Sequence, residues 1–318
     1  MPRMTQGQCW QSNGLLLCCL ILVIAAACSP QTSPNDRSLE LSEIWSQEIP
    51  DSFVVAGITG PLGRLVIWSS SQPFFLERDI RGSIREVATG GGDPPLAVAF
   101  TQAPSSIVSL ALAGTQAAEL RLSHDTSAKF LLPFKDRVAD VEYLNGSWYL
   151  GAQDSLQAFT VHKLSGGTVL RIFSQSLPGP KGHGRAVLNG HAEGLLVSSR
   201  FFPFQTYLIA ENGRVQRQIS PSFSSEGFRH LDDSTRQRLV ALGTLPLDVG
   251  YLQTLADPFT FARVLVTYDG GGSMIRAVVV EAPIGFVASY PTERIVLALR
   301  QLEHQEIVAY RWRWVPHH

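Results

Sequence analysis

Few side chains in this sequence could do acid–base or anion-binding work. Lys181-Gly-His183-Gly sets an imidazole on glycine-flanked backbone, where an ordinary pKa of about 6.5 permits proton transfer near neutrality. Arg200 and Arg300 each end a short apolar run and carry the planar fork that clamps an anionic ligand. Asp93 and Asp154 stand in turn-forming sequence. For each of these residues there is a plainer account. A polar loop can be merely solvated, and an arginine can pair with a neighbouring carboxylate.

Other chemistries lack their parts. Of eight histidines, His317 and His318 are terminal, and His124, His162, His191, His230 and His304 form no i, i+4 pair with each other or with His183. No Gly-x-Ser-x-Gly is present, and Gly146-Ser147-Trp148 sits inside a strand pattern. Gly90 to Gly92 carries no following Lys-Ser/Thr and reads as a turn, while Asp232-Asp233 reads as a solvated turn. The balance of 26 basic against 27 acidic residues gives no field for nucleic acid, and 45% hydrophobic with 17% charged residues marks a core-forming chain. All four cysteines, Cys9, Cys18, Cys19 and Cys28, lie at the N-terminus, so Ser29 to His318 has no disulfide and no thiolate.

The N-terminus accounts for that distribution. Arg3 precedes the apolar run Leu15 to Ala27, which has the length of a secretory signal core and falls short of the roughly 20 residues a membrane span needs. Ile24-Ala-Ala-Ala-Cys28 resembles the bacterial lipoprotein signal, with Ala25 where a leucine is usual; ordinary cleavage after Ala27 is the alternative. The expected division is a signal peptide over 1–27, a lipidated Cys28 with a polar tether over 28–42, and one domain over 43–318. The resemblance implies acylation (palmitate) and a cell-envelope location outside the cytoplasm, in the outer membrane if the host has one. A membrane held through that anchor is then a partner, and a monomer is expected.

The rest of the chain repeats. Apolar strands centred on Val66, Val108, Tyr149, Leu196, Val240 and Val296 recur at intervals of roughly 41 to 56 residues. Each is preceded by another apolar run, and four are followed by a glycine hairpin and a strand ending in arginine: Gly82 to Arg85, Gly167 to Arg171, Gly213 to Arg217 and Gly272 to Arg276. Four short antiparallel strands per unit spell an all-β propeller. The sixth unit lacks a fourth strand, and Glu43 to Ile49 is a strand without a unit. Pairing the two predicts six four-stranded antiparallel blades, closed by the N-terminal strand. Thr244 to Ala262 reads as an insertion in the fifth unit.

The Gly-x-apolar-x-Arg motif and the turn Thr89-Gly-Gly-Gly-Asp93 resemble six-bladed propellers of the NHL and TolB-like kind found in bacterial envelope lipoproteins. Lactonase-like members of that architecture bind calcium through Glu, Asn and Asp on their inner strands. By that resemblance Asp140, Glu142 and Asn189 are a weak candidate Ca²⁺ site; otherwise no cofactor is expected. Loops entering each inner strand (about 89–95, 133–137, 174–184, 220–225 and 281–284) and loops after each second strand (70–73, 113–116, 153–155, 200–204, 244–262 and 301–305) should form the ligand-binding mouth. The expected function is a ligand- or protein-binding module of the envelope. A propeller hydrolase or lyase, with His183 and the channel carboxylates as acid and base, is the rival. A third reading is a subunit of an envelope assembly using 244–262 as its contact. Pro73-Phe-Phe75 and Phe201-Phe-Pro-Phe204 are either a partner patch or core between blades.

Overall fold

The computed structural model describes residues 37–316 except 70, 89–93, 103–104, 114–116, 123–124, 132–136, 155–157, 178–185, 230, 259–262, 281–282 and 302; within 101–137 it describes the backbone course of the strands. The chain opens with a 13-residue strand, β1 (Arg37–Ile49). Then come β2 (Gly57–Thr59), β3 (Arg64–Trp68), β4 (Phe74–Asp79) and β5 (Ile84–Ala88), followed by β6 (Ala97–Gln102), β7 (Ser105–Ala113), β8 (Ala117–Leu122) and β9 (Asp125–Leu131). The next eight are β10 (Arg137–Leu144), β11 (Ser147–Gln153), β12 (Phe159–Ser165), β13 (Thr168–Gln175), β14 (Ala186–His191), β15 (Gly194–Ser199), β16 (Thr206–Ile209) and β17 (Val215–Ile219). Two short helices, α1 (Glu226–Arg229) and α2 (Asp233–Arg238), precede β18 (Val240–Pro246), β19 (Gly250–Ala256), β20 (Arg263–Asp269) and β21 (Met274–Val280). The chain finishes with β22 (Ile284–Tyr290), β23 (Ile295–Gln301) and β24 (Gln305–Pro316).

Each run of four strands is its own antiparallel sheet, and the last sheet has the order β1-β24-β23-β22. The N-terminal strand therefore supplies the missing fourth strand, with Glu40 opposite Arg313 and Ile49 opposite Gln305. The first strands of the sheets stand side by side: β2 with β6, β6 with β10, β10 with β14, β14 with β18, β18 with β22, and β22 with β2. This is a propeller of four-stranded antiparallel blades. Five are described through their side chains, one short of the expected six. The remaining four-stranded sheet, β6–β9, is described mainly through its backbone.

Stability lies between blades. Ile58, Leu65 and Ile67 of the first blade pack with Leu297 and Ile307 of the last. Tyr149 and Val161 pack with Leu188 and Val197, and Leu196 and Leu208 pack with Tyr251 and Val266. A strand packed on both faces reads as a continuous apolar run, and β15 and β19 are buried at every position. A polar seam joins the fourth-unit and fifth-unit blades: Thr206 Oγ1 and Thr244 Oγ1 share a 2.7 Å hydrogen bond, and Gln253 Nε2 donates to Thr244 Oγ1 at 3.1 Å.

The fifth unit departs from the expected phase. Gly227 to Arg229, the start of the run expected as an inner strand, lies in α1, and Val240–Pro246 is the inner strand rather than the second. Thr244 to Ala262 is accordingly not an insertion: it holds the end of β18 and all of β19. The extra chain lies at α1 and α2, where Asp232 caps α2 by accepting the Thr235 N–H. The Ser234 hydroxyl above all, then that capping N–H and the Thr235 hydroxyl, lower the Asp232 pKa to about 2. Phe75 and Phe204 are core, whereas Phe202 is 43% exposed beside Phe223.

Candidate functional site

The inner strands converge on a channel whose polar residues come mainly from β10 and β14. Asp140 and Glu142 are two apart on β10, so both face the same side of the strand, toward β14. Asp140 Oδ1 accepts the Val141 N–H at 2.9 Å and Oδ2 accepts the Leu188 N–H at 2.8 Å, stitching two inner strands together. Burial raises its pKa to about 6, opposed by those two hydrogen bonds and by the charge of Arg200. Glu142 is pushed further, to about 8, by burial and then by repulsion from Asp140. At neutral pH Glu142 is a neutral acid. Gly190 lies opposite, where a Cβ would stand 3.2 Å from Glu142 Oε1, so a larger residue there would make the carboxyl shift by a few tenths of an ångström.

Glu142 faces a cavity of about 550 Å³. Ile58, Phe100, Glu142, Asn189, Leu245 and Tyr290 line it, one from each inner strand, and most of the lining falls in the later half of those strands. The cavity therefore sits at the end of the channel where inner strands finish. The sequence reading placed the mouth at loops entering the inner strands or following the second strands; of these ranges only 244–262 contributes to this lining, through Leu245 and Pro246, and 89–93, 178–184 and 281–282 lie outside the described residues. Asn189 turns its amide nitrogen into the wall against Gly243, where it has no hydrogen-bond partner among the described residues. Tyr290 is fixed by donating its hydroxyl to the Gly60 carbonyl at 2.7 Å.

Among the residues proposed from sequence, Asp140, Glu142 and Asn189 come together, with Arg200 near enough to act on Asp140 from the opposite mouth. Asp154 closes the turn after β11, its Oδ1 accepting the Ala158 N–H at 2.9 Å with Arg171 Nη1 3.7 Å away. Arg300 pairs with Glu43 and Glu306. Asp93, Lys181, His183 and Cys28 lie outside the described residues. The inner-strand set brings three oxygen-bearing side chains together where calcium takes six to eight oxygens, and each Asp140 oxygen already accepts one backbone N–H. Among the described residues no three His, Cys, Asp or Glu side chains are grouped to hold a metal. The sequence reading passed over His191, Arg217 and Tyr251, which adjoin the channel end; the one available signal was the polar turn His191-Ala-Glu193-Gly194 between two apolar strands.

No family model matches the chain, and no curated protein matches it. Solved structures do. A protein described as exported from Bacteroides fragilis NCTC 9343 superposes with TM-score 0.56 at 10% identity, covering 90% of this chain and 97% of that one. The PQQ-bound aldose sugar dehydrogenase of Streptomyces coelicolor superposes with TM-score 0.54 at 11% identity, covering 87% and 99%. The fold is a β-propeller. A protein from Bacteroides thetaiotaomicron VPI-5482 is similar over 87% of this chain and 76% of its own, with TM-score 0.51 at 13% identity. At these identities a propeller likeness carries the architecture alone.

Proposed function

We propose that this propeller is a small-ligand-binding module of the cell envelope, anchored through a lipidated Cys28, with six blades in a closed ring. The carrying observation is the 550 Å³ cavity to which every inner strand contributes a residue. Six blades are supported by the six four-stranded sheets among the described residues and by the side-by-side order of their first strands. The anchor rests on the sequence Ile24-Ala-Ala-Ala-Cys28 and the polar tether after it. Among the described residues no helix is long and apolar enough to cross a membrane. A neutral Glu142 offers one O–H donor and one carbonyl acceptor between Tyr290, Phe100 and Leu245, which suits an uncharged, hydrogen-bonding ligand with an apolar face.

Binding followed by calorimetry across pH tests this. The wild type should lose affinity above pH 8 as Glu142 ionises, whereas Glu142→Gln, which keeps the shape of the neutral acid, should bind evenly across that range. Equal pH profiles for the two proteins would remove Glu142 from the site.

The enzyme reading is favoured by one observation: a protonated carboxyl beside a more acidic one is the arrangement a general acid needs. Glu142 would then be the acid, and turnover abolished by Glu142→Gln with binding retained would select that reading.

A further inference from the structure

A second cavity of about 560 Å³ adjoins the first and shares Gly190, Pro246 and Ser289 with it. Its polar lining includes His191, Glu193, Arg217, Asp248 and Tyr251. Asp248 is already satisfied: it accepts the indole N–H of Trp312 at 3.1 Å and of Trp314 at 3.0 Å, and Arg294 Nε stands 2.9 Å away. Arg217 is held in place, because its Nη1 donates to the hydroxyl of Tyr251, a residue only 2% exposed. Its Nη2 stands 4.0 Å from Glu193 Oε2, too far for a hydrogen bond, and Glu193 is largely in solvent.

His191 packs its ring beside that of Tyr251, 5.8 Å between centroids, and its Nδ1 accepts the Glu193 N–H at 3.1 Å. Burial holds its pKa below the ordinary value, Arg217 adding to the effect against Glu193, so near neutrality its proton sits on Nε2. The cavity thus presents a fixed guanidinium and an imidazole N–H, with one exposed carboxylate at the edge. Leu144, Leu247 and Val249 supply apolar wall.

We propose that this cavity is a second binding site, taking a carboxylate with an apolar body. The carboxylate is received by Arg217 and the His191 Nε2–H, and the hydrocarbon part lies against Leu144, Leu247 and Val249. A single guanidinium with Glu193 nearby matches one negative charge rather than two, and a planar fork matches a planar carboxylate. The site borders the uncharged-ligand site around Glu142, and its polar anchors, Arg217 and His191, are not part of that site's lining.

Calorimetry of the full chain with hexanoate, 1-hexanol and inorganic phosphate tests it. Hexanoate should bind saturably and at least tenfold more tightly than hexanol, and phosphate should not displace it. Arg217→Gln should weaken hexanoate at least tenfold. Glu193→Gln, at an exposed position that folding tolerates, should tighten it severalfold. Glu142→Gln should leave it unchanged. Equal binding of hexanol, displacement by phosphate, indifference to Arg217→Gln or weakening by Glu193→Gln would each overturn the proposal. Loss of hexanoate in Glu142→Gln alone would overturn it too, by moving the ligand into the channel while leaving the channel reading intact.

Discussion

Arg300 Nη1 stands 2.9 Å from Glu43 Oε2, and its Nη2 stands 2.7 Å from Glu306 Oε2. One guanidinium thereby bridges the second strand of the last blade to β24 and to the N-terminal strand that completes the sheet. Both carboxylates raise the arginine pKa, so the charge is permanent. Arg78 of the first blade holds the same N-terminal strand from the neighbouring blade, its guanidinium carbon 3.9 Å from the centre of the Trp45 ring.

Removal of that bridge should loosen closure without touching the channel. The Arg300 side chain is 19% exposed and Glu43 is 42% exposed, so solvent screens the pair and Arg300→Met should cost about 1 kcal/mol. Thermal unfolding should show a drop of about 2 °C for a chain of this size. A ligand-binding defect with unchanged melting would instead return Arg300 to the role its position in sequence suggested.

Glu142 makes stability depend on pH in a predictable direction. Its folded pKa is about 8 against an ordinary value of 4.5, so the folded state keeps a proton that the unfolded chain gives up. Stability is full below pH 4.5 and falls as pH rises to about 8, beyond which the penalty is constant. Asp140, raised to about 6, adds a smaller loss between pH 4 and 6. Glu142→Gln should flatten the upper part of this profile and melt above the wild type at pH 8, by up to a few kcal/mol. Urea titrations at pH 5, 6.5 and 8 check it, and parallel profiles for the two proteins would contradict the shift.

Gly213 and Gly146 separate backbone strain from blade packing. Both have positive φ, +83° and +78°. A Cβ at Gly213 would stand 1.7 Å from the Ile172 carbonyl oxygen on the preceding blade, whereas a Cβ at Gly146 would meet nothing within 4 Å. Gly146→Ala should cost about 1 kcal/mol, the left-handed backbone penalty. Gly213→Ala must also push β17 away from β13 and should cost about 3 kcal/mol or more. Similar denaturation midpoints for the two variants would mean the blades have slack there.

Much of this architecture is legible in the sequence because each blade buries whole strands, which then recur as apolar runs. The same cause hides the phase. In the fifth unit the runs at 227–231, 237–243 and 250–256 all look like strands, because inner and second strands are both covered on two faces and show no alternation to tell them apart. The cap at Asp232, with Thr235 three residues on and Arg236 and Arg238 in the last turn, was the local evidence for a helix. Asp140, Glu142 and Asn189 stand out as polar residues on otherwise apolar inner strands. The end at which the cavity opens does not, since its lining is assembled from six inner strands far apart in the chain. Arg217 was read as the end of a repeat motif. Its partnership with Tyr251 crosses from one blade to the next and has no local signature.

Asp248 ties the turn between β18 and β19 to the final strand. Its Oδ1 accepts two indole N–H groups, from Trp312 and Trp314, while Arg294 faces its Oδ2 at 2.9 Å. Trp312 is 1% exposed and packs with Leu245, Leu252 and Val296, so its indole N–H has little access to water. Asp248→Ala should leave that donor unsatisfied and cost about 2–3 kcal/mol, more than an exposed ion pair would. Asp248→Asn, which keeps a carbonyl acceptor for one indole, should recover about half the loss. Intrinsic tryptophan fluorescence and urea midpoints report both variants. Equal destabilisation by Asn and Ala would mean that charge toward Arg294, rather than the indole hydrogen bonds, holds the last blade to its neighbour.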